Sequence, residues 1–231
     1  MPEARAVQAM FARIARRYDF LNRVLSAGID RRWRARLVRR LAPLSGREVL
    51  DVACGTGDLA FELAEAGARV VGLDFTREML VLARAKDGAR RVSFLNGDAL
   101  ALPFERASFD AATIAFGLRN LEDRRRGLAE LARVVRPGGS VMVLEFSLPR
   151  ARLLAAPYRF YFTRILPRVG ALVSGDGEAY RYLPETVLAW PKPEELQREM
   201  EGVGLARCGF ELLSGGIACL SFGEVAPSTA R

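Results

Sequence analysis

Residues 48–60 read EVLDVACGTGDLA, and the turn inside this stretch decides the fold. EVLDVAC is a short β-prone run that reads as a strand. GDLAFELAEAG (57–67) reads as a helix. Between them, Gly55 and Gly57 let the backbone approach a ligand closely and take positive φ without steric cost. Working outward, ARVVGLDF (68–75) is a second strand and TREMLVLARAKDG (76–88) a second helix with Thr76 as its cap. RVSFLNGDA (91–99) is a third strand and FDAATIAF (109–116) a fourth. DRRRGLAELARVVRPGG (123–139) is a helix stopped by Pro137-Gly138-Gly139, and SVMVLEFS (140–147) is a fifth strand. This alternation predicts a parallel, doubly wound α/β sheet. An aromatic-, Arg- and Pro-rich interruption spans 149–190. A helix at PEELQREMEGVG (193–204) then leads to strands LARCGFELL (205–213) and GIACLSFGE (216–224), a closing hairpin joined at Ser214-Gly215-Gly216.

The chain of 231 residues, 50% hydrophobic and 27% charged, is long enough for one domain with a full core. Residues 1–45 read as an N-terminal helical cap on it. No apolar run approaches the ~18–20 residues of a membrane helix. The N-terminus lacks the apolar core of a secretory signal, so a cytoplasmic location is expected. Cys54, Cys208 and Cys219 form no CxxC pair, and histidine is absent. That composition offers no zinc set and predicts buried free thiols.

The net charge of +8 is local. Residues 1–40 hold eleven Arg against Glu3, Asp19 and Asp30, and the remainder is neutral. This argues against a broadly cationic nucleic-acid-binding body and for a basic face near the N-terminus. Val7, Met10, Phe11 and Ile14 recur at helical spacing and predict an amphipathic helix over 5–17. YDFLNRVLSAGID (18–30) breaks that pattern, with Gly28 for a turn and Asp30 for an N-cap. Trp33, Leu37, Val38 and Leu41 mark a second helix.

Read loosely, Gly55-x-Gly57-x-x-Ala60 followed by Asp74 at the next strand end fits a dinucleotide site, which keeps a nicotinamide enzyme as an alternative. Asp51 at the strand's own end, the lack of a second mononucleotide half and the closing hairpin point elsewhere. DVACGTG, GLDF, the GDA at 97–99 and RPGG resemble class I S-adenosylmethionine-dependent methyltransferases, which have a Rossmann-like seven-stranded sheet. That resemblance implies that Asp51, Gly55, Thr56 and Gly57 line the methionine moiety. It implies that Asp74 binds the ribose hydroxyls and that Asp98 and Ala99 edge the adenine.

A narrower resemblance rests on MFARIARRYDFLNRVLSAGIDRRWR (10–34), GDALALPFERASFDAATIAFGLRN (97–120), RVVRPGGSVMVLEFS (133–147) and YRYLPETVLAWPKPEEL (180–196). With DVACGTGDLA, these strings are similar to the quinone-biosynthesis C-methyltransferases. The resemblance implies methyl transfer from S-adenosylmethionine to a ring carbon of demethylmenaquinol or of a ubiquinol precursor. Two departures stand out. The serine often found before FGLRN is Ala115, leaving only backbone for a cofactor contact there. The C-terminal stretch ACLSFG lacks the family's histidine.

Phenol ionisation makes the ring carbon nucleophilic. Arg119 stays protonated and suits electrostatic support of a phenolate rather than proton abstraction. Asn120 can orient the ring oxygen or a water. Tyr18 and Asp19 can close the site, with Asp19 as a proton acceptor. Blander readings stay open: Arg119 paired with Glu122 or Asp123, Asn120 as a helix cap, Tyr18 as packing. A polyprenyl quinol implies a peripheral visit to an anionic membrane. The candidate contacts are the basic helix at 5–17 and the 149–190 insertion, whose Phe160, Tyr161, Phe162, Ile165 and Leu166 would wall a tail groove. Other open readings are another S-adenosylmethionine-dependent methyltransferase and a non-enzymatic, cofactor-binding scaffold. Oligomeric state is open as well, a homodimer included.

Overall fold

A computed structural model describes residues 4–26, 28–88, 91–149, 164 and 184–227; the side chains of residues 4 and 16–25 lie outside that description. Helices α1 (Ala4–Leu25) and α2 (Asp30–Leu41) come first. The alternation follows as β1 (Glu48–Val52), α3 (Asp58–Glu65), β2 (Arg69–Asp74), α4 (Arg77–Lys86), β3 (Val92–Asn96), β4 (Phe109–Ala115), α5 (Arg124–Val134) and β5 (Val135–Phe146). Helix α6 (Pro193–Gly202), β6 (Leu205–Leu213) and β7 (Ala218–Val225) close the chain.

The seven strands form one sheet in the order β3-β2-β1-β4-β5-β7-β6. The first four pairings are parallel, and β7 runs antiparallel to both β5 and β6. The predicted parallel sheet and closing hairpin are both present. Strand β1 explains why the sheet is covered on both faces: Val49, Leu50, Asp51 and Val52 are all buried. Leu50 and Val52 join a core with Leu128 and Leu131 of α5 and Leu196 and Met200 of α6. Val49 packs on the opposite face with Trp33 and Leu37 of α2 and Leu59 and Leu63 of α3. The two-residue period of a strand therefore directs Asp51 to the α2/α3 face.

Three local expectations are corrected. Helix α1 does not stop at Tyr18 but runs through YDFLN to Leu25, since no Pro or Gly interrupts it before Gly28 at φ 73°. Asp30 is not the N-cap of α2: Ile29 holds that position, and Asp30 lies in the first turn, paired with Arg34 at 2.6 Å. Helix α5 ends at Val134 rather than at the Pro-Gly-Gly. The chain enters β5 directly and crosses Arg136–Gly139 as a register shift against β4, held there by Arg136 bonds to Asp110 and to the Ser108 carbonyl. Thr76 occupies the N-cap position of α4, but its side chain makes no capping bond.

The expected insertion falls mostly outside the described residues, including Phe160, Tyr161, Phe162, Ile165 and Leu166. Its end returns with Val187 buried and Trp190 packed on the core, where the Arg124 guanidinium stacks 5.2 Å from the Trp190 ring. No described helix is long and apolar enough to cross a membrane. The three cysteines are free thiols.

Candidate active site

Two adjoining clefts open beyond the carboxyl ends of β1, β2 and β4. Ala53, Gly55, Ala115 and Phe116 line both. The larger adds Asp74, Thr76, Met79, Asp98, Ala99 and Asn120, with Val7, Gln8 and Phe11 of α1 across the opening. The smaller adds Arg34, Asp51, Thr56 and Asp58. The predicted cofactor residues are thus gathered at one sheet edge, where open parallel sheets place ligands.

The turn after β1 alternates left-handed residues: Ala53 (φ 52°), Gly55 (φ 55°) and Gly57 (φ 89°). Ala53 is strained there, since a side chain in this region costs about 1 kcal/mol or more. The Gly55 N–H donates to Asp74 Oδ2 at 2.8 Å, and the Thr76 N–H donates to Asp74 Oδ1 at 2.7 Å. Asp74 therefore clamps the glycine loop to the β2–α4 turn while lining the larger cleft. Burial raises its pKa against those hydrogen bonds. Gly57 lines neither cleft among the described residues. It takes the left-handed N-cap position of α3, where a Cβ would meet Phe61 at 2.9 Å. Asp98 is exposed and turns the chain by accepting from the Leu100 N–H at 2.8 Å, and Ala99 behind it is buried.

Asp51 sits between Gly72 and Thr113 in the sheet. Its Oδ1 accepts from the Thr113 hydroxyl at 2.7 Å, and its Oδ2 has no partner. Burial, and secondarily the Asp74 charge, pushes its pKa up to about 7 against the Thr113 bond. A buried acceptor left open beside a cleft is an attachment point for a cation.

Beyond β4, Phe116 turns at φ 56°. Its ring meets Phe146 at 4.7 Å and Trp33 at 6.1 Å. Its carbonyl accepts from Arg119 Nη1 at 2.6 Å and from Asn120 Nδ2 at 3.4 Å. Arg119 does not pair with Glu122 or Asp123. Its Nη1 lies 2.7 Å from Glu145 Oε2 on β5, and both side chains are nearly sealed from solvent, 7% and 2% exposed. Arg119 is thus neutralised by Glu145, and it lines neither cleft among the described residues. The Arg119 Nε is buried without a partner. Asn120 lines the larger cleft and is not the cap of α5. That position belongs to Asp123, which accepts from the Arg126 N–H at 2.9 Å. Tyr18 and Asp19 lie on the α1 backbone, and their side chains fall outside the description.

Glu145, Gln8 and Arg34 escaped the sequence reading. Glu145 carries no local signal, because it meets Arg119 only through the β4–β5 pairing. Gln8 anchors α1 by donating to the Phe75 carbonyl at 2.9 Å, and nothing in its neighbourhood marks it. Arg34 was legible only as one of many arginines.

The sheet order, the closing hairpin and the glycine-loop edge define a class I methyltransferase that uses S-adenosylmethionine. A solved S-adenosylmethionine-dependent methyltransferase from Aquifex aeolicus shares this fold, with a TM-score of 0.61 over 84% of this chain and 89% of that one at 18% identity. The residues fit the cofactor: the open Asp51 oxygen suits the ammonium of its methionine end. The ubiE/COQ5 methyltransferase family matches residues 1–224, and the chain belongs to it. It is 52% identical over 226 residues to the "Demethylmenaquinone methyltransferase" of Deinococcus radiodurans, covering 96% of this chain and 93% of that one. It is 50% identical over 219 residues to the protein of the same name from Thermus thermophilus, covering 93% and 99%.

Proposed function

We propose that this enzyme methylates a ring carbon of a polyprenylated demethylquinol, demethylmenaquinol, in quinone biosynthesis. The names of its two bacterial relatives support that acceptor. The structural observation that carries the reading concerns two orphaned atoms. Among the described residues, the buried side-chain atoms without a hydrogen-bond partner are Asp51 Oδ2 and Arg119 Nε. Asp51 stands near the end of β1 on the smaller cleft, and Arg119 stands in the turn after β4, off both clefts. Orphaned buried polar atoms are rare and call for a ligand or a mechanism.

The bound cofactor supplies an electrophilic methyl group on a sulfonium. The protein's task is to make the acceptor carbon nucleophilic and to align it. Ionising a phenol of pKa ~10 at pH 7 costs roughly 4 kcal/mol. Asn120 offers its amide to the ring oxygen or to a water that removes the proton. Arg119, neutralised by Glu145 and off both clefts, serves as a positioning residue that fixes the turn through the Phe116 carbonyl beside Asn120. Asp19 is the proposed proton acceptor and Tyr18 the residue proposed to close the site. On the cofactor side, Asp74 takes the ribose hydroxyls and Asp98 with Ala99 the adenine edge. Thr56, Gly55 and Gly57 shape the methionine end, and Ala115 contributes backbone.

The acceptor is a lipid, so the reading includes a peripheral visit to an anionic membrane surface from the cytoplasmic side. The apolar stripe of α1 is turned inward, with Met10 and Ile14 buried and Val7 and Phe11 on the cleft. Contact through α1 would therefore use its arginines. Mass spectrometry of quinones from cells lacking the protein tests the substrate. Accumulated demethylmenaquinone is expected, and accumulation of a ubiquinone precursor alone would contradict it.

A further inference from the structure

Among the described residues, the smaller cleft is lined by one cation. Arg34, on α2, lines it together with Asp51 and Thr56. Its side chain is 10% exposed, and three carboxylates hold it. Nε donates to Glu62 Oε1 at 2.8 Å and Nη1 to Asp30 Oδ2 at 2.6 Å. Nη2 stands 3.5 Å from Asp58 Oδ2, too far for a strong hydrogen bond. A guanidinium carries five N–H donors in a rigid fork, so two are committed to Glu62 and Asp30 and the Nη2 edge keeps capacity. Asp51 lines the same cleft, and its Oδ2 is buried without a hydrogen-bond partner. Among the described residues, the charged lining of this cleft is the Arg34 cation, the half-exposed Asp58 and the buried, unpartnered Asp51, a set that matches a ligand bearing an anion and a cation on a single carbon.

We infer that Arg34 recognises the α-carboxylate of the cofactor's methionine end, opposite the Asp51 oxygen that takes its ammonium. The carboxylates of Asp30 and Glu62 aim the fork, so its ordering cost is met before the ligand arrives. The zwitterion is neutral overall and leaves the charge balance of this acid-rich cleft unchanged. A role confined to tying α2 to α3 is the competing account, and it predicts no dependence on the ligand's carboxylate.

Calorimetric titration separates the two with three ligands: S-adenosylhomocysteine, its decarboxylated analogue, which keeps the ammonium, and 5′-methylthioadenosine, which has neither group. Arg34→Gln should weaken S-adenosylhomocysteine by about 10–100-fold, the range of a charged hydrogen-bond pair. The other two ligands should stay within about twofold of wild type by the same reasoning. Arg34→Lys keeps a cation for Glu62 and Asp30 but loses the fork. It should fold, weaken S-adenosylhomocysteine by about fivefold, and spare the decarboxylated analogue. It carries the test if Arg34→Gln does not fold. Equal loss for all three ligands, or no loss for S-adenosylhomocysteine, would overturn the inference. Wild-type protein that bound none of the three would overturn the cofactor assignment and this inference with it.

Discussion

Asp51, the proposed partner of the cofactor's ammonium, would serve binding at the expense of stability. Burial raises its folded pKa to about 7, well above an unfolded aspartate. Its contribution to stability is fully present below about pH 4 and is lost as pH rises through about 7, an effect of at most ~4 kcal/mol. Asp51→Asn should therefore melt higher than wild type at pH 8, show no such gain at pH 4–5, and bind S-adenosylhomocysteine at least about tenfold more weakly. On the proposed pairing, the cofactor's ammonium needs Asp51 ionised. Affinity should fall about tenfold between pH 7.5 and pH 6, and calorimetry in buffers of different ionisation enthalpy should detect a released proton. Arg119 and Glu145 make the opposite case, a buried pair whose halves depend on each other. Glu145→Gln alone should destabilise by about 3 kcal/mol, since it strands a buried guanidinium. Replacing both by Leu or Met of similar volume should recover most of that stability in denaturant titrations, yet leave turnover lost. Recovered turnover would remove the pair from the mechanism.

At the scale of elements, the two clefts meet at a strained corner. Ala53 and Phe116 both take positive φ, and a Cβ at Gly117 would stand 2.5 Å from the Ala53 Cβ. Gly117→Ala should push the glycine loop and lower cofactor affinity, at a stability cost of about 1–3 kcal/mol. An unchanged affinity with a lower melting temperature would place the strain elsewhere. Helix α1 walls the larger cleft with Val7 and Phe11 and is tied by Gln8 to the turn after β2. Bound cofactor should slow amide exchange along Val7–Phe11. The same elements show what a sequence makes legible. EVLDVAC and GDLAFELAEAG could be read because a glycine turn between a buried strand and a helix is a local event. The end of α1 was misplaced because YDFLN looks like a broken stripe, while the backbone stops only where Gly28 permits a turn. The Arg119 partner was missed because Glu145 is 26 residues away and arrives by strand pairing. Asn120 was offered as a cap because Asp123, three residues on, has the same chemistry and takes that place.

For the whole molecule, the basic N-terminal region is partly consumed by contacts within the fold. Part of the α2 charge is internal: Arg34 is held by Asp30 and Glu62, Arg36 pairs with Glu211 at 2.9 Å, and Arg40 stacks 3.4 Å from the Phe222 ring centroid. If the proposed membrane visit occurs, the exposed Arg31, Arg32 and Arg39 of α2 would each contribute roughly 1 kcal/mol at an anionic lipid surface. Flotation with anionic vesicles should be retained at low salt and lost near 0.5 M, where the screening length falls to about 4 Å. Absence of binding at both would remove the membrane visit. The sheet brings the cofactor loop and the Phe116–Asn120 turn to one edge, and the central claim is that methyl transfer to a reduced ring occurs there. Its most direct measurement incubates the purified protein with S-adenosylmethionine and a short-chain demethylmenaquinone, with and without chemical reduction, and follows the ring-methylated product by mass spectrometry. Product from the quinol and none from the quinone is expected. Equal product from both, or none from the quinol, would contradict the account.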